Sequence, residues 1–296
     1  MNKLVILFTL LLLSCASVYH TSEFARVSHF LWKVSDENSS VWILGSVHFA
    51  DSSFYPLDSV IENAFANSKE LAVEIDMSDD SVSEDVKRKS MEQGFFDDGR
   101  NLKGMLGDSL WQELERVCIE FGISSAVFVQ MRPWLAAMTL SVVAIEKAGI
   151  RPEYGIDASF LARASEAGMP IVGMETSDEQ VQAVAGDKSS DSSGISYLAS
   201  TLDEISRIDT MISQMTLAWK TGNDSLLRVV LDDGHADSLM EENVYRRRNA
   251  KMAEIVSGYL KEDRTVFVVV GAAHLVLEND NVIERLKRKG FRVERF

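Results

Sequence analysis

Two histidines stand in matched settings near opposite ends of the chain, in Gly45-Ser46-Val47-His48 and Gly271-Ala272-Ala273-His274. Imidazole ligates divalent metals and moves protons near neutral pH, so two histidines brought together define a place for either chemistry. Each copy follows an apolar, β-branched run: Val41-Trp42-Ile43-Leu44 before the first and Val266-Phe267-Val268-Val269-Val270 before the second. That pattern reads as a buried strand running into a glycine turn. The glycine is expected to let the backbone leave the strand in a conformation other residues resist. The histidine then lies just beyond a strand end, where open α/β sheets keep their sites. The chain has five histidines, and two of them share this setting. A third run, Leu71-Ala72-Val73-Glu74-Ile75-Asp76, carries two carboxylates that a two-residue period puts on one face. In a parallel strand covered on both faces a carboxylate must be paired or metal-bound. If the strand ends early, both acids are simply solvated. Glu175, at the end of the run from Pro170, stands either near the site or as the cap of a helix over 178–185.

The elements that must position these residues follow from periodicity. Residues 28–48 read as a hairpin around the polar turn 35–40. A helix opening at Tyr55-Pro56-Leu57, with Val60, Ile61, Ala64 and Phe65 as its apolar face, leads to the Glu74 strand and completes a parallel βαβ unit. Helical spacing covers 79–92, 108–121 with Asp108 as its N-cap, and 124–149, where 134–148 is apolar nearly all round and therefore buried. Gly155-Ile156-Asp157 caps a helix over 158–167. Residues 186–194 read as a flexible polar loop. Helices over 196–220, 223–232 and 237–260 follow, with Met211, Met215, Leu217 and Trp219 as a core-facing stripe and Arg246-Arg247-Arg248 as a solvated face. The last unit, strand 265–271, His274, helix 281–289 and strand 291–296, echoes the first. A single domain over 28–296 is expected, with helical insertions at about 78–150 and 196–260.

Bulk properties narrow the function. The 296 residues are 46% hydrophobic and 25% charged, an ordinary globular balance, with a formal net charge of -15. Such an acidic surface repels phosphate backbones, which disfavours nucleic acid as a partner. Lys3 followed by the ten apolar residues 4–13 reads as a signal peptide, too short to span a bilayer. Leu12-Leu13-Ser14-Cys15 resembles a bacterial lipobox, with Cys15 as the lipid-bearing residue; cleavage after Ala16 is the alternative. Either way the protein is exported. It is expected in the bacterial periplasm as a membrane-anchored lipoprotein, or as a soluble periplasmic or secreted protein. Cys118 is the only later cysteine, so no intrachain disulfide staples the domain, and its place in an apolar helical stripe makes it structural.

Taken in order, these blocks resemble the TraB/GumN family, relatives of the Tiki metalloproteases and, more remotely, of erythromycin-esterase and ChaN-like proteins. The carriers are Trp42 to His48 with Tyr55-Pro56-Leu57, Val73 to Asp76, Arg132-Pro133-Trp134, Gly155-Ile156-Asp157, Gly173 to Thr176, Arg248 to Met252 and Val270 to Leu275. The sequence departs from the family after His274, where 275–279 contains no glycine. The resemblance implies a three-layer α/β/α fold with a mixed sheet built from two βα pseudo-repeats and a largely helical middle insertion. It also implies divalent-metal-dependent hydrolysis, most simply of peptide bonds, with His48, Glu74 and His274 as ligands of a Mn, Co or Zn ion. Two imidazoles and a carboxylate leave an open position for water. Arg248 would steady an oxyanion or a substrate carboxylate, and Asp76, Asp157, Glu175 and Asn249 would contact substrate or support the ligands. Glu74 or His48 could instead be a general base. A non-catalytic module binding a peptide, a metal or a haem-like ligand is the alternative from the same resemblance.

The leader carries its own prediction. Cys15→Ala should move the protein from the membrane to the soluble exported fraction, because the several acyl chains of a lipoprotein anchor where one would not. Equal release of wild type and variant on fractionation would contradict it.

Overall fold

The structure is a computed structural model that describes residues 28–186, 191–231, 242–262, 264–277 and 280–296. The expected signal peptide, Cys15, and residues 187–190 and 237–241 of the expected loop and helix lie outside the described residues. Six strands form one mixed sheet: β1 (Leu31–Ser35), β2 (Ser40–Ser46), β3 (Glu70–Val73), β4 (Ile171–Gly173), β5 (Val266–Gly271) and β6 (Arg292–Arg295). Their spatial order is β4-β3-β5-β2-β1-β6. The four strands β4, β3, β5 and β2 run parallel, while β1 and β6 close one edge antiparallel. The fold is α/β, as the motifs imply. The closing unit repeats strand, helix and strand, with β6 pointing the same way as β5, but β6 lies at the sheet edge against β1 rather than beside a parallel neighbour.

The helices fall into two groups around two hydrophobic cores. In chain order they are α1 (Ser59–Ala66), α2 (Asp80–Gly94), α3 (Leu102–Phe121), α4 (Pro133–Lys147), α5 (Ile156–Glu166), α6 (Ser177–Ala185), α7 (Asp191–Ile205), α8 (Ile208–Thr221), α9 (Asp224–Leu231), α10 (Arg247–Lys261), α11 (Ala273–Val276) and α12 (Val282–Arg288). The sheet core is built on β5, whose Val266 to Val270 are all buried, as a central parallel strand covered on both faces requires. Phe267 meets Phe65 of α1 and Phe160 of α5, with ring centroids 5.5 and 5.0 Å away. Met252, Val256 and Leu260 of α10 belong to the same core. The second core is helical: Trp111, Leu114 and Phe121 of α3, Leu140 and Ala144 of α4, and Leu198 and Leu202 of α7. Among the described residues no helix is long and apolar enough to cross a membrane.

Several boundaries differ from the sequence reading, each for a visible reason. Asn101, not Asp108, caps α3, accepting from the Gly104 amide at 2.9 Å; Gly107 then kinks the helix at φ 71°. The stretch 124–149 breaks before Pro133 into a short 3-10 turn (Ser125–Phe128) and α4. The run 196–220 breaks at Ser206-Arg207 into α7 and α8. Residues 191–194 are helical, not loop. Asp191 is held by Arg132 at 3.0 Å and Arg100 at 2.8 Å. A Cβ on Gly194 would lie 3.2 Å from both Pro133 Cβ and the Trp134 amide, so that glycine serves close helix packing rather than flexibility.

Cys118 is buried in the helical core, and burial pushes its thiol up to about 11. Thiol reagents act on the thiolate. The native protein should therefore resist them at pH 8 and react only on unfolding in denaturant, and Cys118→Ala should cost about 1–2 kcal/mol of stability. Stoichiometric labelling of the folded protein would contradict this.

Candidate functional site

The two histidine motifs are neighbours. β2 and β5 are adjacent and parallel, with Ser46 opposite Gly271, so the copies lie side by side with a stagger of one residue. The Ala272 amide donates to the Ser46 carbonyl at 2.9 Å and ties them together. Neither Gly45 nor Gly271 has positive φ, so backbone freedom is not what these glycines supply. A Cβ on Gly45 would stand 3.0 Å from Ala272 Cα and 3.1 Å from Phe30 Cβ; glycine is needed for close approach. A Cβ on Gly271 would point into the site, 3.3 Å from Glu74 Oε1, 3.7 Å from His274 Cδ2 and 3.9 Å from His48 Nε2. Three residues far apart in sequence thus converge on one point in front of Gly271.

Each histidine is oriented by a specific acceptor. His48 lies in the loop after β2, and its Nδ1 is 2.9 Å from Asp157 Oδ2. Asp157 is in the first turn of α5, and Ser46 Oγ donates to its other oxygen at 2.6 Å. The chain can bring α5 this close because residue 155 is glycine: a Cβ there would be 2.3 Å from the His48 carbonyl. The Ile156 amide also donates to the Val47 carbonyl at 3.0 Å. The expected capping role belongs to Gly155, and Asp157 is free to hold His48. His274 lies in α11, with its Nδ1 2.6 Å from Asn249 Oδ1. Asn249 is fixed in that sense because its Nδ2 donates to the Asp280 carbonyl at 3.4 Å. Both rings therefore carry hydrogen on Nδ1 and turn Nε2 to the site, the arrangement in which an outer acceptor sets the orientation of a ligand histidine.

Glu74 stands just past the end of β3 and is buried. One oxygen accepts from the Gly271 amide at 2.6 Å and lies 3.8 Å from His274 Nε2. The other is gripped by Arg248 Nη2, with Gln180 Nε2 at 3.4 Å. Arg248 also engages Glu175 through Nε at 2.8 Å and Nη2 at 3.0 Å, and donates from Nη1 to the Val244 carbonyl at 3.1 Å. Gln180 donates to Glu175 at 2.6 Å. Glu175 is therefore a partner of Arg248 and not a helix cap; Thr176 caps α6, in a reciprocal box with Glu179. Arg248 is committed to two carboxylates, which makes it a holder of Glu74 before anything else, and it points inward from what reads in sequence as a solvated arginine face. Asp76 is not brought to the site. The strand ends at Val73, and Asp76 Oδ1 accepts from the Ser78 amide at 3.0 Å in a local turn.

Electrostatics separate the two imidazoles. The Asp157 carboxylate, by its charge and its hydrogen bond, holds the His48 imidazolium up to about 9. Desolvation in the site drives His274 down to about 4 against the pull of Glu74. Burial works against ionised Glu74, but His274, Arg248, His48 and the Gly271 amide together outweigh it and hold the carboxyl at about 2. Burial raises Glu175, with Arg248 opposing. The His48 side chain is 62% exposed and that of His274 only 5%, so His48 faces the solvent side and His274 the inner wall.

These groups form one side of a cavity of about 510 Å³. Its other walls come from the helical half of the protein and include Met211 and Met215 of α8. Those methionines read in sequence as core; Met215 does pack against the sheet core, and both line the cavity. Of that stripe, Trp219 is buried and donates to the Gly45 carbonyl at 2.8 Å, and Leu217 is exposed. Gln180 and Ser46 are the site residues the sequence reading passes over. Ser46 sits inside the first histidine motif, whereas nothing in the spacing marks Gln180.

The model of the TraB/PrgY/gumN family matches residues 30–295, and the chain belongs to that family. It is similar to the protein YbaP of Escherichia coli strain K12, described as uncharacterized, at 25% identity over 261 residues, covering 86% of this chain and 92% of the relative. The YbaP protein of Shigella flexneri matches with the same identity and coverage. No solved structure matches the chain.

The two imidazoles should titrate far apart in the metal-free protein. In ring-nitrogen NMR, His48 should stay cationic until near pH 9, and His274 should stay neutral with hydrogen on Nδ1 until near pH 4. The His48–Asp157 pair adds stability that is complete below His48's unperturbed value of 6.5 and is lost as pH rises through about 9. Superimposed titrations near 6.5 would contradict the geometry.

Proposed function

We propose that the protein is a divalent-metal-dependent hydrolase acting on peptide bonds, exported and held at the membrane of the bacterial periplasm by lipid on Cys15. The observation that carries the enzymatic part is the convergence of His48 Nε2, Glu74 and His274 in front of Gly271, at one side of a cavity large enough for a substrate. The donor set fits a cation such as Mn, Co or Zn. His274 Nε2 and Glu74 Oε1 are two acceptors 3.8 Å apart, and the Asn249 contact keeps the ring hydrogen on the far nitrogen. Among the described residues no group of three His, Cys, Asp or Glu stands arranged to hold a metal. Binding therefore calls for His48 to release its Nε2 proton and swing in from the cavity, which its exposure permits.

A divalent ion bound there would lower the pKa of a water and polarise a scissile carbonyl. The chain's own residues do the rest. Asp157 and Asn249 fix which nitrogen each imidazole presents, and Arg248, backed by Glu175 and Gln180, fixes the direction of the Glu74 carboxylate. The walls of the cavity bind substrate. A binding module without turnover is the second reading, favoured by Arg248 being tied to two carboxylates at the cavity wall.

Cleavage of a mixed peptide library should require a divalent metal and stop with chelator. Gly271→Ala should fold, since its nearest new contact is a side-chain oxygen at 3.3 Å. It should lose metal binding and lower kcat/KM at least about 100-fold, because the methyl occupies the point of convergence with every ligand still present. Binding between pH 6 and 8 should release about one proton per ion, from His48. Chelator-resistant cleavage, or full metal binding by Gly271→Ala, would overturn the proposal.

A further inference from the structure

We infer that the cavity selects peptides whose residues beside the cleaved bond are aliphatic; this rests on the hydrolase reading and names its substrate class. α8 presents Ile208, Met211, Ile212 and Met215 to the cavity. Their spacing of three, four and seven residues is one face of a helix. In a globular protein such a stripe packs on another element. Here all four side chains are only half-buried and line the cavity, although Met215 also packs on the sheet core and Ile208 on the helical one. Leu227 and Val230 of α9 continue the surface. Apolar walls left for a ligand reward apolar groups and penalise a polar one that gives up water without gaining a partner.

The charges point the same way. Outside the His48, Glu74, His274 and Arg248 group, Glu204 is the one charged side chain in the wall among the described residues, and it is already engaged by the protein, so the wall offers charged residues little to pair with. Two methionines in the stripe make the fit adaptable, so leucine, isoleucine, valine and phenylalanine should all be accepted. A volume of about 510 Å³ is larger than one side chain needs and suits a few residues of extended chain. Thr216 interrupts the apolar lining with a hydroxyl, which favours a peptide, with its amide groups, over a plain acyl chain.

The experiment has a binding arm and a turnover arm. Binding of two blocked pentapeptides, one leucine-rich and one of serine and aspartate, is measured by calorimetry on metal-stripped full-length protein. The leucine peptide should bind at least about 10-fold more tightly. Ile212→Glu should reduce that preference to below about 3-fold while leaving metal binding unchanged; Met211→Gln, a milder change on the same face, should reduce it in the same direction. In the turnover arm, kcat/KM on metal-loaded protein should show the same preference across a fluorogenic library varied beside the cleaved bond. Equal binding of the two peptides, a preference unmoved in both folded variants, or displacement of the leucine peptide by a tighter-binding N-acyl glycine would overturn the inference. Leucine-peptide binding without cleavage would remove the hydrolase reading and leave the ligand class standing. Cleavage without leucine preference would do the reverse.

Discussion

A carboxylate buried at the end of a sheet is the constraint on which the rest of this site depends. Glu74 is ionised where water scarcely reaches, and an unpaired buried charge would be untenable. The chain answers with a backbone amide from β5, a guanidinium from α10 and an amide side chain from α6. Satisfying Glu74 thus pins three elements that are remote in sequence. Arg248 is itself buried and is satisfied only by adding Glu175, so the constraint propagates outward to the start of α6. One face of the carboxylate is left toward His274.

The same logic sets the two histidines apart in character while bringing them together in space. Asp157 makes His48 basic and cationic; the desolvated wall makes His274 neutral. Both are held by an acceptor on Nδ1, so both present the same nitrogen. A site with one exposed imidazole and one fixed neutral donor suits a bound cation that must be reached by substrate from one side. The cavity supplies that side, and most of its apolar walls come from helices, chiefly α8 and α9, rather than from strands. The sheet thus contributes the chemistry and the helical half the recognition surface.

Much of this was legible in sequence. The two Gly-x-x-His blocks after apolar runs led to the adjacent strands β2 and β5, and the family blocks led to Asp157, Glu175, Arg248 and Asn249, all of which the fold brings to the site. The strands were readable because buried parallel strands are continuous apolar runs. What stayed hidden depends on pairing partners that periodicity does not encode. Asp76 looked equivalent to Glu74 because a period of two says nothing about where a strand stops. The serine- and glycine-rich start of α7 looked like a loop because its order comes from Arg100 and Arg132. The cavity beside Met211 and Met215 stayed hidden because a helix stripe facing a cavity and one facing a neighbour have the same spacing.

The most direct measurement is X-ray absorption on the cobalt-loaded full-length protein, with wild type, His48→Ala and His274→Ala compared after circular dichroism confirms folding. If His48, Glu74 and His274 hold one ion, the wild-type first shell contains two imidazoles with oxygen ligands, and each variant retains one imidazole with weakened binding. A wild-type shell without imidazole, or a shell unchanged in either variant, would contradict the account.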